Sequence, residues 1–317
     1  MKSLIFCLLI APVYAQLPAP NWNDEMIEVR DDKLSGVLMS MQPIFDKNWN
    51  RLGQPVFWKK IMKLSPDTSV INVAATREVL MKIPTKEWKK MTDKQKDAIR
   101  DSLRSDCSFD KDERLMCTSG KNHFYKFDRV YPALSMGIME FEKWSVDPWY
   151  AQAILLIESP GQLKRSNAGA YGAFQLMPGV ARAQGLKVTK KLDERKDFKR
   201  SAYGAASLIR KICIPQAKEI LDSHQIKYKE SDLWFRLFVM HVYHAGANNV
   251  KAAVAAIQPK QGGQKLITQL WQTKAGKFGN ASQNYTQVVL ASQLILHDMV
   301  ASKSCKLFDC QEASGKK

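Results

Sequence analysis

Residues 153–178 read AILLIESPGQLKRSNAGAYGAFQLMP, and this stretch decides the fold of the chain. It opens with five consecutive apolar residues, Ala153 to Ile157, which directly precede Glu158. Pro148 stands shortly before the apolar run and Pro160 shortly after it, and a proline is tolerated in the first turn of a helix but not beyond. The pattern therefore predicts a buried helix with Glu158 in its last turn.

The surroundings predicted for Glu158 favour its protonated form. Burial among apolar residues disfavours a charged carboxylate, and so does the negative end of a helix dipole. A carboxyl that keeps its proton near neutral pH can act as a general acid in glycoside cleavage. The alternative is a glutamate that faces solvent at a helix end, and position alone favours this alternative because perturbed carboxylates are a minority.

The segment after this helix, Ser166 to Pro178, combines two glycines with an amide and a hydroxyl. Glycine lets the backbone approach a ligand closely, so that backbone groups and the Gln175 amide can bond a neutral polar ligand such as a sugar. An ordinary glycine-rich connection is the plainer alternative. A phosphate-binding loop is excluded, because the segment contains neither GK[ST] nor GxGxxG.

Four blocks in this order resemble the soluble lytic transglycosylase family. They are Glu158-Ser159, SNAGAYGAFQLMPGVA at 166–181, VYHAG at 242–246 and Asn284-Tyr285. The corresponding family patterns are ES, SxxGAxGLMQxMPxTA, AYNAG and ETxxY. The resemblance covers about residues 146–300 and implies a lysozyme-like fold, shared with goose-type lysozymes.

The fold class we expect is mainly α. A lysozyme-like helical catalytic domain over 141–302 follows an α+β N-terminal region over 16–140 that contains a small hairpin, and a tail covers 303–317. Further helices are predicted over 201–211, 233–243 and 285–300.

The resemblance also implies roles for single residues. Glu158 matches the catalytic acid and base, and Tyr243 matches the tyrosine that faces it. The predicted substrate-binding residues are Ser166, Tyr171, Gln175, Met177, His244 and Tyr285. Three positions depart from the family pattern: His244 replaces the asparagine of AYNAG, Val180 replaces the threonine of MPxTA, and Ala281 stands where the glutamate of ETxxY is expected.

The implied activity is cleavage of the β-1,4 bond between N-acetylmuramic acid and N-acetylglucosamine, with 1,6-anhydro ends as product and with no metal or cofactor. Residues 159–192 contain no Asp or Glu, so this segment cannot supply a second catalytic carboxylate. Two rival functions remain: a goose-type muramidase that adds water, and a wall-binding protein whose catalytic site has decayed. His241 and His244 are three residues apart, but no HExxH pattern supports a metal site, and packing is the favoured role of His241.

The N-terminal region carries no chemical motif that we recognise. Thr92 and Gln95 form a capping-box pattern that predicts a helix from Thr92 to Arg104. A hairpin is predicted from two strands, 114–117 and 123–127, joined by the turn residues Ser119-Gly120-Lys-Asn122.

Residues 1–15 have the layout of a secretory signal peptide, which predicts export to the periplasm or the extracellular space. Export permits disulfides. Cys107 with Cys117 and Cys305 with Cys310 are the favoured pairs, which would leave Cys213 free and buried, although the sequence does not fix the connectivity.

The formal net charge of +17 predicts an anionic partner. Peptidoglycan glycan strands are the expected substrate. An anionic wall, an anionic membrane surface and extracellular nucleic acid are the candidate anionic partners, and solubility alone is the plainer interpretation of the charge, which does not choose among them. A nucleic-acid partner is not expected, because the basic stretch 187–200 lacks interleaved aromatic residues and is interpreted as a solvated face.

Overall fold

The computed structural model describes residues 21–29, 36–158, 165–166 and 168–314, and it describes residues 303–314 by their backbone alone. The predicted signal peptide, the helix end predicted before Pro160 and the pair Cys305–Cys310 therefore lie outside the described residues or side chains. The chain is mainly α-helical, and the strands of the described residues all lie in its N-terminal region, which confirms the predicted fold class.

The N-terminal region alternates strands with helices. Its elements are β1 (Met26–Val29), β2 (Gly36–Met39), α1 (Gln42–Asp46), α2 (Gly53–Lys63), β3 (Thr68–Val73), β4 (Val79–Pro84), α3 (Thr85–Lys90), α4 (Asp93–Asp106) and β5 (Leu115–Ser119).

The remainder is helical. Its elements are α5 (Phe127–Lys143), α6 (Trp149–Ile157), α7 (Pro178–Ala183), α8 (Phe198–Leu208), α9 (Ile214–Ser223), α10 (Leu233–Ala245), α11 (Ala247–Ile257), α12 (Gln264–Gln272) and α13 (Asn280–Ser314). A π-helical turn at Ile209–Cys213 joins α8 to α9. Among the described residues no helix is both long enough and apolar enough to cross a bilayer.

Three strands of the N-terminal region form an antiparallel sheet in the order β4-β3-β5. The central strand β3 is buried along nearly its whole length. Ile71, Val73 and Leu115 form a small core that is covered by Ile99 and Leu103 of α4. Burial of these side chains fixes the register, because a slip by one residue would turn them towards solvent.

The hairpin predicted over residues 114–127 is wrong. Strand β5 pairs with β3, more than 40 residues earlier in the chain, and residues 123–127 form no strand. The hairpin of this sheet is β3–β4 instead. The buried side chain of Leu115 explains the difference, since it completes the core beneath α4 only when β5 lies beside β3.

Helix α4 confirms the capping-box prediction. The Thr92 hydroxyl accepts a hydrogen bond from the Gln95 backbone N–H, and the Gln95 side chain accepts one from the Thr92 backbone N–H. Two backbone donors at the helix start are thereby satisfied.

Helix α6 is the centre of the helical part. All nine of its residues are buried, and it packs between α5 and α13. Full burial of each large aliphatic side chain contributes about 1.5–3 kcal/mol, so this helix is a rigid support for the glutamate at its end. The backbone N–H of Glu158 still donates to the Ile154 carbonyl, 2.9 Å away, and Glu158 therefore extends the last turn.

The N-terminal region packs on the same core. The buried Gln152 amide of α6 accepts from the Met39 backbone N–H of β2 and donates to the Gln293 side chain of α13, each at 2.8 Å. Helix α2 lies on α13, where the Trp58 indole donates to Gln287 at 3.0 Å. Helix α5 runs across the predicted boundary at residue 140, and the domain division stays a prediction.

The predicted disulfide between Cys107 and Cys117 is wrong, because both thiols are free. Cys107 caps the C-terminal end of α4, whereas Cys117 lies within electrostatic range of Arg100, in the middle of that helix. A helix advances about 10 Å over the seven residues from 100 to 107, and a disulfide needs Cα atoms within about 7 Å. Cys213 is free and buried, as predicted.

Candidate active site

Glu158 lies at the C-terminal end of α6, where protein atoms surround its carboxyl group but leave part of the residue exposed. This burial raises the pKa of Glu158 to about 7, although a hydrogen bond from Tyr285 opposes the shift. Among the described residues no second carboxylate contributes to this pKa. A carboxyl in this state carries its proton at or below neutral pH and can give it up.

Tyr285 approaches Glu158 from α13. Its hydroxyl donates to Oε1 of Glu158 at 2.7 Å, and the phenol is almost fully buried. The ring of His244, at the end of α10, stacks on the Tyr285 ring with 4.1 Å between centroids. Protein atoms around His244 lower its pKa even though its edge stays exposed, which favours a neutral ring at neutral pH. The structure thus brings together Glu158, His244 and Tyr285 from three helices.

Tyr243 lies beside this group but does not bond Glu158. Its hydroxyl donates to the Phe174 carbonyl at 2.6 Å, which fastens α10 to the glycine-rich segment. Burial, with the nearby Glu158 charge, raises the pKa of Tyr243 well above the ordinary tyrosine value. Tyr243 is therefore a neutral donor that holds the loop near the acid.

The glycine-rich segment folds as a tight reverse turn. Tyr171 and Leu176 exchange both backbone hydrogen bonds at 3.1 Å, and the turn between them needs positive φ at Gly172 (86°) and Gln175 (47°). A Cβ atom at Gly172 would lie 2.0 Å from the Arg195 carbonyl oxygen, so only glycine fits there. The Gln175 amide donates to the Gly172 carbonyl at 3.0 Å.

Ser166, Tyr171 and Met177 surround this turn. The Ser166 hydroxyl accepts from the Ala170 backbone N–H at 2.9 Å, so it shapes the loop that carries it. The Tyr171 ring lies beneath the Arg165 guanidinium, 5.3 Å from its centroid. Met177 is 40% exposed just before α7, so it presents an apolar surface at the end of this turn. These three residues and Gln175 share one loop beside Glu158, and their predicted contacts with substrate stay a prediction.

A buried ion pair supports the loop from below. Arg195 is 1% exposed, and its guanidinium donates to both carboxylate oxygens of Asp193 at 2.7 and 2.8 Å. It also donates to the carbonyls of Gly169 and Leu176 at 3.0 and 2.9 Å. The arginine holds the pKa of Asp193 below its usual range. The interpretation of residues 187–200 as a solvated face is wrong at Arg195. Its side chain is buried because four oxygen atoms, two of the Asp193 carboxylate and the two carbonyls, accept hydrogen bonds from it.

Residues 135–266 match the family model of the transglycosylase SLT domain. This segment is similar to an SLT domain. No curated protein matches the chain in a sequence comparison. The SLT domain supports a function of the lytic transglycosylase type that acts on peptidoglycan, and it confirms the lysozyme-like helical fold. The match includes Glu158, Tyr243 and the whole glycine-rich loop, but it ends before α13 and Tyr285.

The three departures from the family pattern have different settings around the SLT domain. His244 stacks on Tyr285 at the site. Val180 packs partly buried against the core, so a valine suits its place in α7. Ala281 is exposed in the first turn of α13 and presents no polar group.

His241 is buried one turn before the end of α10. Its Nε2 shares a hydrogen bond with the Thr286 hydroxyl at 2.9 Å, and burial lowers its pKa to about 3, so the ring is neutral. Within the described part of the chain no group of three or more His, Cys, Asp or Glu could hold a metal ion.

Tyr125 is a site residue that sequence reasoning does not find. Burial, and to a smaller extent the Glu158 charge, raises the pKa of the Tyr125 phenol, so this side chain lies within electrostatic range of the acid. The ring is stacked on Phe127 at 5.9 Å and remains partly exposed. The cluster HFYKF at 123–127 is the available signal, but aromatic residues in such a run are equally typical of a strand. Tyr125 precedes the SLT match, so the N-terminal region contributes to the site.

Proposed function

We propose that the chain is a peptidoglycan lytic transglycosylase in which Glu158 acts first as an acid and then as a base. The product would be a 1,6-anhydro-N-acetylmuramic acid end. The observation that carries this proposal is the Glu158 carboxyl, which burial keeps protonated to about pH 7 at the end of a rigid helix. Tyr243, which lies near Glu158, holds the glycine-rich loop through its hydrogen bond to the Phe174 carbonyl.

In the first step the Glu158 carboxyl donates its proton to the glycosidic oxygen, and the bond between this oxygen and the anomeric carbon breaks. Tyr285 donates to Oε1, which leaves Oε2 to carry the transferable proton. The same hydrogen bond stabilises the carboxylate that forms. The N-acetyl carbonyl of the substrate stabilises the positive charge that develops at the anomeric carbon.

In the second step the Glu158 carboxylate takes the proton of the C6 hydroxyl of the same sugar. The C6 oxygen bonds to the anomeric carbon and closes the 1,6-anhydro ring. Glu158 has then regained its proton, and no water is consumed. One carboxyl suffices for both proton transfers, which suits a site where no second carboxylate among the described residues influences Glu158.

A two-carboxylate hydrolase is the rival that this electrostatic setting disfavours. The carboxylate next along the chain, Asp193, accepts two hydrogen bonds from the Arg195 guanidinium and supports the loop. A base that activates water needs a carboxylate free to accept its proton.

We also propose that the protein is exported and acts in the periplasm or outside the cell. Residues 1–15 support this by their signal-peptide pattern, and the net charge of +17 would hold the enzyme on an anionic wall.

Mass spectrometry of digested sacculi tests the proposal. The wild type should release fragments that end in 1,6-anhydro-N-acetylmuramic acid, and Glu158→Gln should release none while its far-UV circular dichroism is unchanged. The matched control is Glu142→Gln, the same chemical change at an exposed position on α5. New reducing ends in place of anhydro ends would identify a muramidase, and binding without cleavage would identify a wall-binding protein.

A further inference from the structure

A cavity of about 370 Å³ lies between the sheet and the start of α13. Its lining includes the polar or basic residues Arg77, Ser119, Lys121, His123, Asn280 and Asn284. No Asp or Glu occurs among the described residues that line it. The cavity is therefore electropositive, and its polar groups can donate hydrogen bonds to an anion.

Arg77 is the most informative of these residues. It is only 5% exposed, its Nη2 donates to the Asn284 side chain, and its Nε has no hydrogen-bond partner among the described residues. The guanidinium also lies over the Phe57 ring, 5.6 Å from the centroid. Burial and the charge of Arg114 lower the pKa of Arg77 to about 10, so it remains a cation at neutral pH.

A buried cation normally has an anionic partner, because desolvation of an unpaired charge is costly. The described part of the chain supplies no carboxylate to Arg77. The Asn284 oxygen and the aromatic faces offset only part of this cost. An anion that enters the cavity would form charge-assisted hydrogen bonds with the donors already present.

The cavity adjoins the proposed acid along two separate segments. Asn284 lines the cavity, and the next residue, Tyr285, donates to Glu158. His123 lines the cavity, and Tyr125, two residues later, is within electrostatic range of Glu158. Neighbouring Cα atoms are about 3.8 Å apart, so short stretches of backbone join the cavity lining to residues near Glu158.

We propose that this cavity binds a carboxylate of the peptide stem that peptidoglycan carries. The proposal rests on the proposed function and names part of its substrate. In peptidoglycan a short peptide with free carboxylates is attached to N-acetylmuramic acid, one of the two sugars at the scissile bond. A stem on the sugar at Glu158 therefore has both the right charge and the right point of attachment.

Binding of a synthetic stem peptide tests the proposal without any cleavage. Titration calorimetry should show that the full-length chain binds the peptide with free carboxylates and binds its amidated form much more weakly. Lys121→Glu should weaken binding of the free peptide about fivefold or more, because it places a negative charge in the cavity. Lys94→Glu on the exposed face of α4 makes the same change of net charge and should have no effect.

Asn284→Asp gives a sharper result. The new carboxylate would form an ion pair with Arg77 in place of the peptide carboxylate. The variant should therefore melt at a higher temperature and yet bind the stem peptide more weakly. If the cavity were polar but bound no anion, this variant would not combine a higher melting temperature with weaker peptide binding. Circular dichroism of each variant shows whether its fold is retained.

The proposal is overturned if the amidated peptide binds as well as the free one, or if Lys121→Glu and Lys94→Glu behave alike. Binding of inorganic phosphate with no binding of the stem peptide would also overturn it. These results are distinguishable from failure of the proposed function, since peptide binding and release of anhydro ends from sacculi are measured independently.

Discussion

Two carboxyl groups border the glycine-rich loop, and the chain treats them in opposite ways. Glu158, at the end of α6, has protein atoms around it and one hydrogen bond from a neutral tyrosine, so its pKa rises to about 7. Asp193, at the base of the loop, receives two hydrogen bonds from the Arg195 guanidinium, so its pKa falls. The first group is prepared to exchange a proton, whereas the second is held ionised as a support.

The comparison predicts its largest effect at Glu158. Glu158→Gln keeps an acceptor for Tyr285 but cannot donate a proton to a glycosidic oxygen, and kcat/KM on glycan strands should fall by about 10²–10⁴-fold. Asp193→Asn removes the same charge from the supporting position and should retain more activity, because Glu158 is intact. Equal losses in the two variants would contradict the division into acid and support.

Removal of the arginine should affect stability most. Arg195→Met leaves Asp193 as a partly buried charge without its partner and takes the donor from the carbonyls of Gly169 and Leu176. Breaking a buried ion pair on one side costs about 3–5 kcal/mol, and urea unfolding monitored by circular dichroism measures this loss. The Asp193→Asn/Arg195→Met double variant should recover part of it, since it no longer leaves the Asp193 carboxylate with only the more distant Arg165 guanidinium, 3.7 Å away. No recovery would show that the backbone contacts of Arg195 carry the whole effect.

The pH dependence of kcat/KM tests the raised pKa of Glu158. Because the proposed first step needs the protonated carboxyl, kcat/KM should fall as pH rises above about 7. Tyr285→Phe removes the hydrogen bond that lowers the Glu158 pKa, so this alkaline limb should move to higher pH by about one unit or less. The phenylalanine ring keeps the stack on His244. A limb that moves to lower pH, or stays in place, would show that Tyr285 does not stabilise the carboxylate.

The sequence predicts that Glu158 lies at the end of a buried helix, but it does not predict that Arg195 supports the adjacent loop. An apolar run and a proline just after it identify a buried helix end, because both signals are local in the chain. The glycine-rich segment is equally local, and its resemblance to the lytic transglycosylase family agrees with the SLT match over residues 135–266. Arg195 cannot be recognised in this way, since a basic stretch does not show which of its members turns inward.

Local sequence patterns also do not predict which distant segments pack together. Turn residues after β5 suggest a partner nearby in sequence, while its actual partner β3 lies more than 40 residues earlier. Tyr125 and Arg77 reach the site and its adjoining cavity only because the N-terminal region packs on α13. Such placements depend on which buried faces meet, and periodicity within one segment does not encode that.

The last expected effect is a change in stability that arises from the acid alone. The folded-state pKa of Glu158, about 7, lies above its value of 4.5 in an unfolded chain, so the folded protein binds the proton more tightly. This contribution to stability is complete below about pH 4.5 and is lost as pH rises through 7. Glu158→Gln cannot ionise and should melt above the wild type at pH 8, while the two should melt alike at about pH 4. A wild type that is as stable as the variant at pH 8 would mean that the charged carboxylate is well solvated, and the proton that the proposed mechanism needs would then be absent at neutral pH.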